Sequence, residues 1–207
     1  MTEVVSHCSY GIDLHTGSNH RANLPQIRGN LHDPETRRCA EAFQAPVMMH
    51  SQTRDGSLRH AATARGIHTL LYEGGEQLRF DDEAIEIGTQ GVLQVMAALR
   101  MIRSSKRRKQ HPPCLVSEQS LWIRARRGGI LRIEVELGQR VRLRERVGII
   151  ADAFGENKVT VKAPADGIVI GLARNPLVYQ GDAIVHLAQI VRNGSGQSSE
   201  SDPKTPR

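Results

Sequence analysis

The run Tyr10-Gly11-Ile12-Asp13-Leu14-His15 is apolar and β-prone until it stops at an Asp-Leu-His step, and small, polar residues follow at once. An imidazole at the exposed carboxyl end of a buried strand is placed to hold a metal, and a carboxylate two residues earlier can orient it. A lone step of this kind also fits a strand-end histidine bonded by its neighbour. A second apolar run, His68-Thr69-Leu70-Leu71-Tyr72, ends in acids and glycines, Glu73-Gly74-Gly75-Glu76.

These groups need a scaffold, and the first hundred residues alternate in type as a layered α/β fold requires. Strands are expected at 10–15, 24–31, 46–49 and 69–72. Helices are expected at 33–43, 56–65 and 82–103, the last with Ile85, Ile87, Val92, Val95, Met96, Leu99 and Ile102 as its apolar set. The pattern predicts a mostly parallel sheet, with His15 and Glu73 both at strand carboxyl ends, where open α/β sheets place their sites. His32-Asp33-Pro34-Glu35 is the one His-x-x-Glu spacing. It reads better as a helix start, with Asp33 as cap, Pro34 in the first turn and an acid favoured by the dipole.

The strings GIDLHTGSNHRANLPQIRGNL and TLLYEGGEQLRFD resemble the later half of the catalytic domain in the succinylglutamate desuccinylase/aspartoacylase family, zinc hydrolases related to the zinc carboxypeptidases. The resemblance implies a partial zinc-carboxypeptidase-like α/β domain and a Zn2+-dependent deacylase acting on amide or ester bonds of small N-acylated, carboxylate-bearing substrates. By the same likeness His15 matches the third zinc ligand and Asp13 stands behind it. Glu73 matches the carboxylate that takes a proton from metal-bound water and passes it to the leaving amine. Glu76 is its rival, but Glu73 follows the apolar run directly, whereas Glu76 lies beyond the Gly74-Gly75 turn. In the family the first two zinc ligands, a His and a Glu in an HGxE-like loop, precede the Asp-Leu-His strand. No such motif stands before Tyr10, so the expectation is a catalytic domain without its front portion, through a late start or a fragment. The alternative is a non-catalytic remnant or assembly module.

For substrate contacts, His20 and Arg21 follow His15 on a loop, where an exposed polar loop is the equal alternative. Arg59 could grip a carboxylate bidentately, with Arg54 and Arg65 as rivals. His7, His50, His60, His111 and His186 have no partner spacing and read as structural or surface residues.

From 121 to 190 the pattern changes to short β-rich runs broken by glycines, which suggests a small sandwich or barrel. VKAPADGIV resembles the biotinyl/lipoyl-like half-barrel that members of the desuccinylase family also carry. Lys158 lies six residues before Pro164 and lacks the neighbours of a carrier lysine, so it reads as an ordinary hairpin lysine. The expected division is 1–104 hydrolase part, 105–119 basic and Pro-rich linker, 120–190 all-β barrel and 191–207 disordered tail.

A net charge of +6 comes largely from a local cluster, Arg100, Arg103, Lys106, Arg107, Arg108 and Lys109, which suits a solvated helix end running into a linker. With aromatic residues at 3%, there is no base-stacking platform for nucleic acid. Cys8, Cys39 and Cys114 form no C-x-x-C pair and suit a reducing compartment. No run approaches the ~18 apolar residues of a membrane span. The composition thus predicts a cytoplasmic protein with neither nucleic-acid nor membrane partner; the resemblance implies a small N-acyl amino acid-like substrate, and a homo-oligomer is compatible with both.

Overall fold

The computed structural model describes residues 3–103 and 114–190. After a short 3-10 turn come strands β1 (Tyr10–Gly17) and β2 (Arg21–Gly29), helix α1 (Pro34–Phe43), β3 (Val47–His50), α2 (Leu58–Thr63), β4 (His68–Glu76) and α3 (Asp82–Ala98). The second half is entirely β: β5 (Leu115–Ser117), β6 (Ser120–Arg124), β7 (Gly129–Ile133), β8 (Arg140–Val141), β9 (Arg146–Ala151), β10 (Val159–Lys162), β11 (Gly167–Ala173), β12 (Leu177–Val178) and β13 (Ala183–Gln189). The basic run at 106–109 and the tail at 191–207 lie outside the described residues.

The expected helices and strands form, with shifted ends. Helix α3 stops at Ala98 because Leu99 caps it and Arg100 turns left-handed at φ 60°. Asp33 caps α1 as expected, its carboxylate accepting from the Thr36 N–H at 2.8 Å, with Pro34 in the first turn. His68 Nδ1 also lies 2.9 Å from that carboxylate. Bonds with Thr36, and then His68, hold the Asp33 carboxyl below its ordinary range. Asp33→Ala is expected to cost about 1 kcal/mol at neutral pH. Because the folded-state pKa is depressed, that contribution is present above the unfolded value of about 3.9 and fades as pH falls through the lower folded value. Melting curves of the variant and the parent should converge in acid.

The sheet is mixed rather than mostly parallel. Strand β1 pairs parallel with β4, β2 with β3 and β3 with β5, but β2 runs antiparallel to β4. The cause is local: a tight reversal through Asn19 (φ 52°) and His20 (φ 54°) returns the chain from β1 to β2 with no crossover helix. The path then runs β1-β4-β2-β11-β13-β6. Strand β2 forks it, since residues 21–23 pair with β11 while residues 26–29 pair with β3.

One face of the first half buries Ile27, Leu70 and Tyr72 against Phe43 of α1 and Ile87 and Val95 of α3. The opposite face carries the polar residues of the same strands. Among the described residues β1 has no partner on its outer edge, and nearby Leu14, Ile85 and Leu93 are exposed.

The second half is all-β as expected, and among the described residues no closed barrel is found. Its strands divide between the long sheet and a four-stranded sheet, β10-β9-β7-β12, with Leu131, Val147, Ile150, Val169, Ile184 and Leu187 in the core they share. A closed barrel leaves no free strand edge. Here one stretch of β11 pairs with β2, so the long sheet runs on into the first half.

Candidate active site

Two residues apart on β1, Asp13 and His15 share a face, and strand register carries that face across the sheet. Asp13 lies opposite Leu71 and His15 opposite Glu73 on β4, while Arg28 and Gln26 of β2 lie opposite the same two positions. His15, Glu73 and Gln26 therefore stand side by side on three adjacent strands. The sequence places His15 and Glu73 fifty-eight residues apart, and parallel pairing of β1 with β4 makes them neighbours.

The His15 ring is half exposed, and its Nε2 lies 3.1 Å from Asp13 Oδ1. Asp13 thus orients the ring and leaves Nδ1 as the nitrogen open to a ligand. Glu73 Oε2 accepts from Asn23 Nδ2 at 2.9 Å, while Oε1 has no protein partner among the described residues. Asn23 is buried and Glu73 half-buried, so the amide fixes the carboxylate at one oxygen and leaves the other for chemistry.

Positive charge gathers around these acids. Burial lowers the pKa of Arg28, the Glu73 carboxylate opposes that shift and Arg54 reinforces it. Arg59 is likewise lowered by burial first, then by Arg28 and Arg54, with Asp13 opposing. Mutual perturbation of this kind places three guanidinium groups in one electrostatic neighbourhood with two carboxylates, which favours an anionic ligand. Arg59 is only 7% exposed, and it donates to Ser51 Oγ at 2.8 Å and to the Gln52 carbonyl at 2.7 Å. Those bonds fix the loop that presents Arg54. His20 is exposed on the reversal, with its carbonyl accepting from Arg174 N–H at 2.6 Å. Arg21 extends toward Trp122, its Cζ 4.9 Å from the indole centroid. Glu76 faces Arg79 Nε at 2.6 Å and Arg174 Nε at 3.6 Å, a tie between the two halves.

Asn23 and Arg28 were within sight of sequence reasoning, since both sit in the HRANLPQIR stretch. Polar residues alternating along an otherwise buried β2 were the signal. Trp122 and His186, more than ninety residues further on, left none.

A metal at His15 would have His15 Nδ1 and an Asp13 oxygen as donors. Among the described residues no third His, Cys, Asp or Glu completes a group whose ligand atoms all lie within 4.8 Å of one another there. Catalytic zinc uses three protein ligands, so the described residues do not by themselves fit the ion. A different group does meet that spacing: His32, His50 and Glu118, beyond the far end of β2. Its two rings stack at 4.0 Å, and His32 Nε2 lies 3.3 Å from Glu118 Oε2. His50 Nδ1 accepts the Leu31 N–H at 3.2 Å, which puts the proton of the neutral ring on Nε2. Binding a metal there would require giving up that bond.

No helix among the described residues is long and apolar enough to cross a membrane. Residues 2–99 match the profile of the succinylglutamate desuccinylase/aspartoacylase catalytic domain. No curated protein matches the chain. Among solved structures, a succinylglutamate desuccinylase/aspartoacylase from Rhodobacter sphaeroides is 23% identical with a TM-score of 0.79, covering 90% of this chain and 59% of its own. The ectoine utilisation protein EutE (DoeB) from Ruegeria pomeroyi is 16% identical with a TM-score of 0.79, covering 91% and 62%. An aspartoacylase family protein from Mesorhizobium loti is 16% identical with a TM-score of 0.75, covering 92% and 60%. At these identities the likeness is one of fold, and the chain spans about three fifths of the length of each structure.

Proposed function

We propose, on the premise that this chain belongs through residues 2–99 to the succinylglutamate desuccinylase/aspartoacylase family, that it carries the proton-transfer and substrate-binding part of a deacylase for small N-acylated amino acids. The observation that supports this most is the row His15–Glu73 with Asn23 bonded to Glu73, set among Arg28, Arg54 and Arg59. In this reading Glu73 removes a proton from the attacking water at its free oxygen and returns it to the departing amine. Asn23 keeps the carboxylate in one rotamer, and the arginines hold a substrate carboxylate by charge-assisted bonds. The family likeness implies zinc, with His15 as a ligand that Asp13 orients.

The test is appearance of free amine from N-succinyl-L-glutamate or N-acetyl-L-aspartate with the chain supplied with zinc. Hydrolysis dependent on Glu73 would support the reading. Carboxylate binding without turnover would favour a second one, a binding module, for which the short donor set at His15 speaks. Metal content separates the sites. After dialysis against metal-free buffer the chain is expected to hold well under one zinc. One equivalent lost in His15→Ala would reveal a third donor near β1, and one lost in His32→Ala would assign it to the His32, His50 and Glu118 group.

A further inference from the structure

Asn23, which holds Glu73 from the neighbouring strand, opens a second row of its own. Gly171 of β11 is the register partner of Asn23 on one side and of His186 of β13 on the other, and His186 is in turn the partner of Trp122 of β6. Gly171 is bare at the point where these groups converge. A Cβ there would stand 3.1 Å from Asn23 Oδ1, 3.1 Å from His186 Cβ and 3.4 Å from Trp122 Cη2. The indole therefore leans across β13 to the rim of β11, next to the amide that holds Glu73. It stacks on the His186 imidazole with centroids 4.3 Å apart and planes 12° apart, while the Arg21 guanidinium lies over the ring.

His186 is 3% exposed, with Nε2 against Ser120 Oγ at 3.0 Å and Nδ1 buried without a partner among the described residues. Burial, then Arg28, Arg21 and Arg54, push its pKa down to about 3, so the imidazole is neutral. A neutral ring supports the indole without adding to the cationic charge.

We infer that Trp122, carried on His186 and joined by Arg21, is the specificity wall of the proposed site: the indole packs the aliphatic arm of the substrate leading away from Glu73, and Arg21 takes the carboxylate at that arm's end. The distance suits such an arm. Two strand spacings, about 10 Å, separate the strand of Glu73 from that of Gly171. A dicarboxylate of about four to five carbons crosses that gap with the reach of an arginine. Cation–π contact with the indole would hold the guanidinium in place before the ligand arrives. This rests on the reading of Glu73 as the reacting centre and gives the β half a part in choosing the substrate.

Trp122 is the chain's only tryptophan, so its emission reports on the wall directly. The experiment titrates the full chain with glutarate, a dicarboxylate, and butyrate, a monocarboxylate of similar length, at constant ionic strength. Emission and calorimetry are read in parallel. Glutarate should change the emission saturably and bind at least tenfold more tightly than butyrate. Arg21→Ala should erase that preference, and Arg21→Lys, which keeps charge but loses the planar fork, should restore part of it. Circular dichroism checks that each variant is folded. Trp122→Phe should weaken glutarate by calorimetry while leaving the fold intact. Glutarate heat that neither alters Trp122 emission nor depends on Arg21 would overturn the wall and leave the deacylase reading standing. The absence of heat with either acid would remove both.

Discussion

Glu73→Gln is expected to lower hydrolysis by about 10²–10⁴-fold while carboxylate ligands still bind. The amide keeps the shape of the side chain and can still meet Asn23, but it cannot take a proton from water or return one to an amine. The same group would act in both transfers, so the loss should fall at the upper end of that range. Glu76→Gln is the contrasting variant. Glu76 lies three residues on and is engaged by Arg79 and Arg174, both with exposed side chains, so its replacement should cost at most about 1 kcal/mol of stability and little rate. Rate and ligand binding are measured together for both variants. An inactive Glu76→Gln beside an active Glu73→Gln would move the reacting carboxylate to the other side of the Gly74-Gly75 turn. Full activity in both would remove the proton-transfer assignment from β4.

Phe43→Ala is expected to destabilise the fold by about 3–5 kcal/mol in denaturant unfolding. Phe43 is 1% exposed, stacks on Tyr72 at 5.3 Å between centroids and fills the space between α1, α3 and β4. The reciprocal change is more discriminating. A Cβ on Gly91 of α3 would stand 2.2 Å from Phe43 Cε1, a contact the ring cannot accept without moving. By helix propensity alone Gly91→Ala should stabilise α3 by about 1 kcal/mol. Overpacking should reverse the sign, for a net loss of about 1–3 kcal/mol. Phe43→Leu, which opens space opposite the new methyl, should recover part of that loss in the double variant. A stabilised Gly91→Ala would show that α1 and α3 can separate, and that the close approach of the two helices is not required.

What could be read in the chain is what neighbours in sequence decide. Asp33-Pro34-Glu35 starts a helix because cap, fixed φ and dipole act within one turn, and α1 begins there. Apolar runs closed by Asp-Leu-His and by Glu-Gly-Gly become β1 and β4, since a buried strand is specified by its own residues. The pairing partners were less accessible. A tight reversal at Asn19 and His20 makes β2 antiparallel to β4, and a pattern of alternating strands and helices does not carry that direction.

The sequence by itself determined the two candidate chemical groups, His15 and Glu73, the family they resemble and the change of architecture after residue 113. Tertiary structure alone decided that these two groups are register partners, that Asn23 fixes Glu73 and that Arg28 stands on the adjacent strand close enough to feel its charge. It also decided that the β half joins β2 through β11, which brings His186 and Trp122 into one row with Asn23, the residue that holds Glu73. The physical reason is the same in each case. Strand pairing is set by backbone hydrogen bonds that every residue type can make, so its partners are chosen by the packing of whole layers. A side chain's place along a strand is written locally, while its neighbour on the next strand is not.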